Sequence, residues 1–121
     1  MKWHLSVAIV LVLIFTGSWG IAQELMAANP KRGQAIYEQL CLRCHGAKLD
    51  GKGPEAQFLS SRPADLQSLS SQIKSDWELL IIISHGVLFT PMHAYRDILS
   101  EQETRDVLSY IRMIAPFAPI S

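Results

Sequence analysis

The chain has 121 residues and carries 11 Lys plus Arg against 11 Asp plus Glu, so its formal net charge at neutral pH is zero. One domain is the expectation at this length, and the balanced charge excludes a strongly basic nucleic-acid binder and an acidic solvating tail. A hydrophobic fraction of 49% excludes disorder, while two cysteines are too few for a disulfide framework, so a cofactor or metal is expected to share in holding so short a chain together.

The N-terminal segment reads as an export signal. Lys2 supplies the positive start, Leu5 to Phe15 is apolar apart from Ser6, and Thr16, Gly17, Ser18 and Gly20 follow. Gly20-Ile21-Ala22 fits the small-x-small cleavage rule, which gives a signal over 1–22 and a mature domain over 23–121. A second cut lies at Ala27 or Ala28. The competing reading is an uncleaved anchor, but the apolar run is short of the ~20 residues that a spanning helix needs. Either way the domain is expected outside the cytoplasm, in the periplasm or anchored to the membrane and facing it.

The rest reads as helices joined by turn-rich segments. Asn29 as N-cap and Pro30 at the first helical position open a helix that runs to about Leu40 or Cys41. Gly33 inside it costs ~1 kcal/mol against alanine, which makes sense if another backbone packs close there. Ala47 to Arg62 is a loop, with Asp50 forming a turn with Gly51. Asp65 caps a short helical turn around Leu66 to Leu69.

Ser75 with Glu78 makes a capping box for a helix from Asp76 to about His85, closed by Gly86. The apolar run Leu79 to Ile83 also suits a buried strand, but the box in front and the glycine behind favour helix. Ser100 with Glu103 is a second capping box, for a helix that runs to about Ala115 and stops before Pro116. Met113 is expected in the core, and Trp77 in the core or against a cofactor. No alternating strand pattern and no repeat appears, so the class is all-α, with three main helices and long loops.

The chemistry is concentrated in Cys41-Leu42-Arg43-Cys44-His45, the C-x-x-C-H signature for attachment of a c-type haem. One helical turn sets both thiols on one flank, so each can add to a vinyl group of the same porphyrin. The following histidine is then next to the iron. Two other readings use the same residues. A thioredoxin-like dithiol wants a strand–helix context that is missing here. A zinc site from Cys41, Cys44, His85 and His93 is chemically reasonable, but it lacks regular spacing and leaves His45 idle. For the sixth position of a haem iron the candidates are Met92, His85, His93 and Met113. Met26 lies too near the N-terminus. Met92 is in a loop, where binding residues tend to sit, and Met113 has helical spacing from Tyr110.

These pieces, in this order, resemble a small monohaem c-type cytochrome of the bacterial kind. The resemblance runs from Pro30 to about Ala115. It is carried by Gly33-Gln34-Ala35-Ile36-Tyr37 leading into Cys41 to Gly46, Asp50-Gly51-Lys52-Gly53-Pro54, Arg62-Pro63-Ala64-Asp65-Leu66, Thr90-Pro91-Met92, Leu99 to Glu103 and Val107 to Ile111. It implies a helical fold wrapped around one covalently attached haem. Its first and last helices cross, with Gly33 and Tyr37 near Tyr110 and Ile111. It also implies His45 and Met92 as iron ligands and the backbone carbonyl of Pro54 as the partner of His45. One departure is His93, where the family commonly has a proline that stiffens the ligand loop. His93 adds a titratable group beside the ligand, from which a pH-dependent potential is expected, or it is simply a solvated loop histidine. Arg62 is read as a partner for a haem propionate or as a solvated arginine.

The expected function is that of a one-electron carrier rather than an enzyme. It would be a monomer that docks briefly with larger redox proteins at the haem edge, with no nucleic acid, and with the membrane only if the N-terminal segment stays attached. The alternatives are a haem subunit of a membrane or periplasmic dehydrogenase or reductase complex, and a haem enzyme or gas sensor with an open sixth position.

Overall fold

The computed structural model describes residues 27–119. The expected signal segment over 1–22, its cleavage point at Ala22, and Met26 therefore lie outside the described residues, and the second cut at Ala27 or Ala28 lies at their edge. The elements are α1 (Pro30–Leu40), α2 (Leu42–His45), a 3-10 turn (Ala56–Phe58), α3 (Leu69–Gln72), α4 (Asp76–His85) and α5 (Glu101–Ile114), with no strand among the described residues. The three main helices are α1, α4 and α5, as their caps predict. The side chain of Asn29 accepts from the N–H groups of Lys31 and Arg32, and both capping boxes close, Ser75 with Glu78 and Ser100 with Glu103.

The crossing of α1 and α5 is the frame. At Gly33 a methyl group would lie inside the van der Waals radius of the Asp106 carbonyl oxygen, so only glycine lets the two backbones meet. One turn on, Tyr37 packs its ring at 5.4 Å from that of Tyr110. The core then extends through Leu49, Ile83, Tyr95, Leu99, Val107 and Ile111. Beside the crossing, the Asp106 carboxylate is fully buried and accepts from Asn29 N (2.7 Å), Arg32 Nε (2.7 Å) and Gln102 Nε2 (3.0 Å). Burial works to raise its pKa. The bonds from Arg32, Asn29 and Gln102 outweigh that, and the pKa lies below the usual carboxylate value.

Three expectations are corrected. The short helix starts at Leu69, not Leu66. Leu66 N is committed to the Leu49 carbonyl (2.8 Å) and Gln67 N to the Asp65 side chain (2.9 Å), so 65–68 is a turn and helix begins only after Ser68. Met113 and Trp77 are not core but 62% and 70% exposed. Each falls two residues from a buried position, Ile111 and Leu79, and two residues around a helix lead to the opposite side.

Candidate haem site

The ladder of α1 breaks at Cys41, whose N–H still reaches the Tyr37 carbonyl, and α2 restarts at Leu42. This short second helix carries Cys44 and His45. Both thiols are free, half-buried and on the wall of one cavity of about 330 Å³. Burial pushes the Cys41 thiol up to about 12, with Cys44 adding to the shift. A thiolate is therefore disfavoured at Cys41, which does not suit it as an attacking nucleophile. Behind the motif, Gly51, Gly53 and Glu55 donate their N–H groups to the carbonyls of His45, Cys44 and Arg43. The side chain of Asp50 accepts from Lys52 N, forming the expected turn.

His45 is held through its ring. Nδ1 lies 3.1 Å from the Ala64 carbonyl oxygen, which can only accept, so Nδ1 carries the proton and Nε2 keeps its lone pair. Burial pushes the His45 pKa down and the bond to Ala64 partly opposes it, a balance that favours the neutral imidazole a metal requires. The expected partner, Pro54, is thereby corrected to Ala64. The 53–55 segment meets the motif through its N–H groups, and the Pro54 carbonyl faces away, toward Gln57 Nε2 at 3.5 Å. Arg62, next to Pro63 and Ala64, is exposed on the rim of the cavity and has no ion-pair partner among the described residues.

Met92 faces the same cavity and packs against the core. Its loop lacks the stiffening proline, and the structure supplies stiffness by other means. Val87 N donates to the Met92 carbonyl (2.8 Å), and Met92 N to Thr90 Oγ1 (3.2 Å). Tyr95 N and Arg96 N reach the Ile83 and Ser84 carbonyls at the end of α4, each at 3.1 Å. Gly86, at φ +71°, lets its backbone lie directly on Met92–Ala94. Of the other distal candidates, His93 reaches the cavity wall and stacks on Tyr95 at 4.4 Å, whereas His85 and Met113 do not line it. No group of three His, Cys, Asp or Glu side chains able to hold a metal forms among the described residues, so the zinc set is not assembled.

The residues present suit a haem. Two thiols, an imidazole with a free Nε2 and a thioether converge on one cavity, and its remaining wall is mostly apolar, including Leu79, Ile82, Ile83, Val107 and Ile111. The family model described as cytochrome c oxidase, cbb3-type, subunit III, matches residues 28–111. The chain belongs to this family. It is a monohaem c-type cytochrome domain, with haem c attached through Cys41 and Cys44 and with electron transfer as its function. Cytochromes of this type work outside the cytoplasm, and no helix of the described residues is long and apolar enough to cross a membrane. No curated protein matched the chain. Sequence reasoning gave neither the Ala64 carbonyl its role as partner of His45 nor Tyr95 a place in this cytochrome's site. Only Tyr95 left a signal, as an aromatic residue three positions after Met92.

Proposed function

We propose that the protein is a one-electron carrier whose haem iron is held by His45 on one side and Met92 on the other. The observation that carries this is the convergence of Cys41, Cys44, His45 and Met92 on one cavity, with Nδ1 of His45 committed to Ala64. A bound haem supplies the reversible ferrous–ferric couple, and a thioether in the sixth position favours electron transfer at raised potential over ligand binding. The chain's own residues fix the ring orientation of His45, shield the cavity with α4 and α5, and present Met92 on a pinned loop. Arg62 at the rim pairs with a propionate. The domain is exported, works in the periplasm without an enzymatic step of its own, and exchanges electrons in brief, small contacts with larger redox proteins.

The test is the spectrum of the holoprotein. Ferric protein is expected to be low-spin with a sulfur-to-iron charge-transfer band, and Met92→Ala to lose that band and bind CO rapidly. A high-spin wild-type protein that binds CO would overturn the reading in favour of an enzyme or sensor.

A second reading, a subunit of a terminal oxidase complex, is favoured by the description of the matching family and by α4. That helix is apolar all round at Leu79-Leu80-Ile81-Ile82-Ile83, yet Trp77 and Ile81 on one face are exposed. Under it, haem-stained protein migrates in a large complex on native gels of solubilised membranes. As a carrier it is recovered as a monomer.

A further inference from the structure

Leu40 ends α1, and its carbonyl is one of the acceptors that a helix C-terminus leaves without an intrahelical donor. In a continuous helix Cys44 N would reach it; here Cys44 N and His45 N both turn to the Cys41 carbonyl, at 3.2 and 2.9 Å. The donor comes instead from far along the chain. The Tyr95 hydroxyl donates to the Leu40 carbonyl at 3.0 Å, and burial pushes that hydroxyl's pKa up to about 12, so it stays protonated. Tyr95 is 7% exposed, lies on the cavity wall and is itself anchored by its N–H on Ile83. Among the described residues this is the only hydrogen bond between the 87–96 loop and the 40–46 segment.

We propose that Tyr95 is a positioning residue for axial ligation. Its hydroxyl ties the loop that carries Met92 to the segment that carries both attachment cysteines and His45, and so holds the thioether in place against competing ligands. This rests on Met92 being the sixth ligand. Among the described residues the two ligand-bearing segments have no other polar link, so without the hydroxyl the loop is retained by packing and by its bonds to α4 and to the turn at Ile98 and Leu99.

The experiment is a titration of ferric holoprotein with imidazole, followed by loss of the sulfur-to-iron band, in wild type, Tyr95→Phe, Asp106→Asn and Met92→Ala. Tyr95→Phe keeps the ring in the core and is expected to keep its covalent haem and its fold, checked by melting. It should bind imidazole about fivefold to tenfold more tightly, which is about 1 to 1.4 kcal/mol, the scale of one hydrogen bond. Asp106→Asn loses stability away from the site and should keep the wild-type imidazole affinity to within about twofold. Unchanged affinity in Tyr95→Phe, or an equal gain in Asp106→Asn, overturns the proposal. A sulfur band that survives in Met92→Ala, or is missing from wild type, overturns the ligand assignment and this inference together, and that failure is distinct from the first.

Discussion

Two glycines decide at single-residue scale how closely backbones approach. Gly33→Ala has no room, because the obstacle is the main chain of α5 at Asp106, which cannot rotate away. A loss of about 3 kcal/mol is expected, read as a lower urea midpoint at unchanged slope. Gly86→Ala adds a left-handed penalty of about 1–2 kcal/mol to a contact of 2.5 Å with the Met92 carbonyl. Unlike Gly33→Ala, it should also weaken the sulfur band in the ferric spectrum, because the displaced atoms belong to the ligand loop. Gly33 was legible in the sequence, since a glycine inside a well-capped helix asks for a reason. The partner of His45 was not. Every residue offers a carbonyl, so nothing in the letters separates Ala64 from Pro54, and only the path of the 53–64 loop decides between them.

At the scale of elements, the helices were legible because their ends are written in side chains. Asn29, Ser75 and Ser100 each satisfy N–H groups that would otherwise be bare, and Gly86 ends α4. The crossing of α1 with α5 was implied by the resemblance and is found, but the buried charge beside it was not legible. A charged residue in an amphipathic helix is ordinarily assigned to the wet face, and Asp106 is fully buried only because Asn29 and Arg32 meet it from the far end of the chain. Asp106→Asn leaves donors poorly matched and is expected to cost about 2 kcal/mol, measured as a lower melting temperature. The sign with pH follows from the lowered carboxyl pKa. Its contribution is complete above the unfolded value of about 4 and is lost as the pH falls below that, through the folded value. Wild type should therefore lose stability steeply in acid, and Asp106→Asn should show a shallower acid limb.

At the scale of the molecule, the order of the pieces was legible from Gly33 to Ile111, but the size of what they surround was not, since a cavity is a property of the packing and not of any segment. Its volume of about 330 Å³ is flanked by α1, α4 and α5 and reaches the core residues Tyr37, Ile83, Tyr95, Val107 and Ile111. A cavity of that size kept dry would cost about 8 kcal/mol at about 24 cal/mol per Å³, against the roughly 5–15 kcal/mol that a domain has in total. Admitting water spares part of this, but it then wets the same apolar side chains that close the core. The haem is therefore as much a core residue as a cofactor. Cys41→Ser/Cys44→Ser protein, which cannot form the thioether bonds, should retain some far-ultraviolet helical signal from the capped α1 and α5. It should lose near-ultraviolet dichroism and any cooperative melting transition, the signature of collapse without fixed packing. Calorimetry decides: a sharp, cooperative endotherm in that variant would mean that the crossing of α1 with α5 stands without the group it encloses.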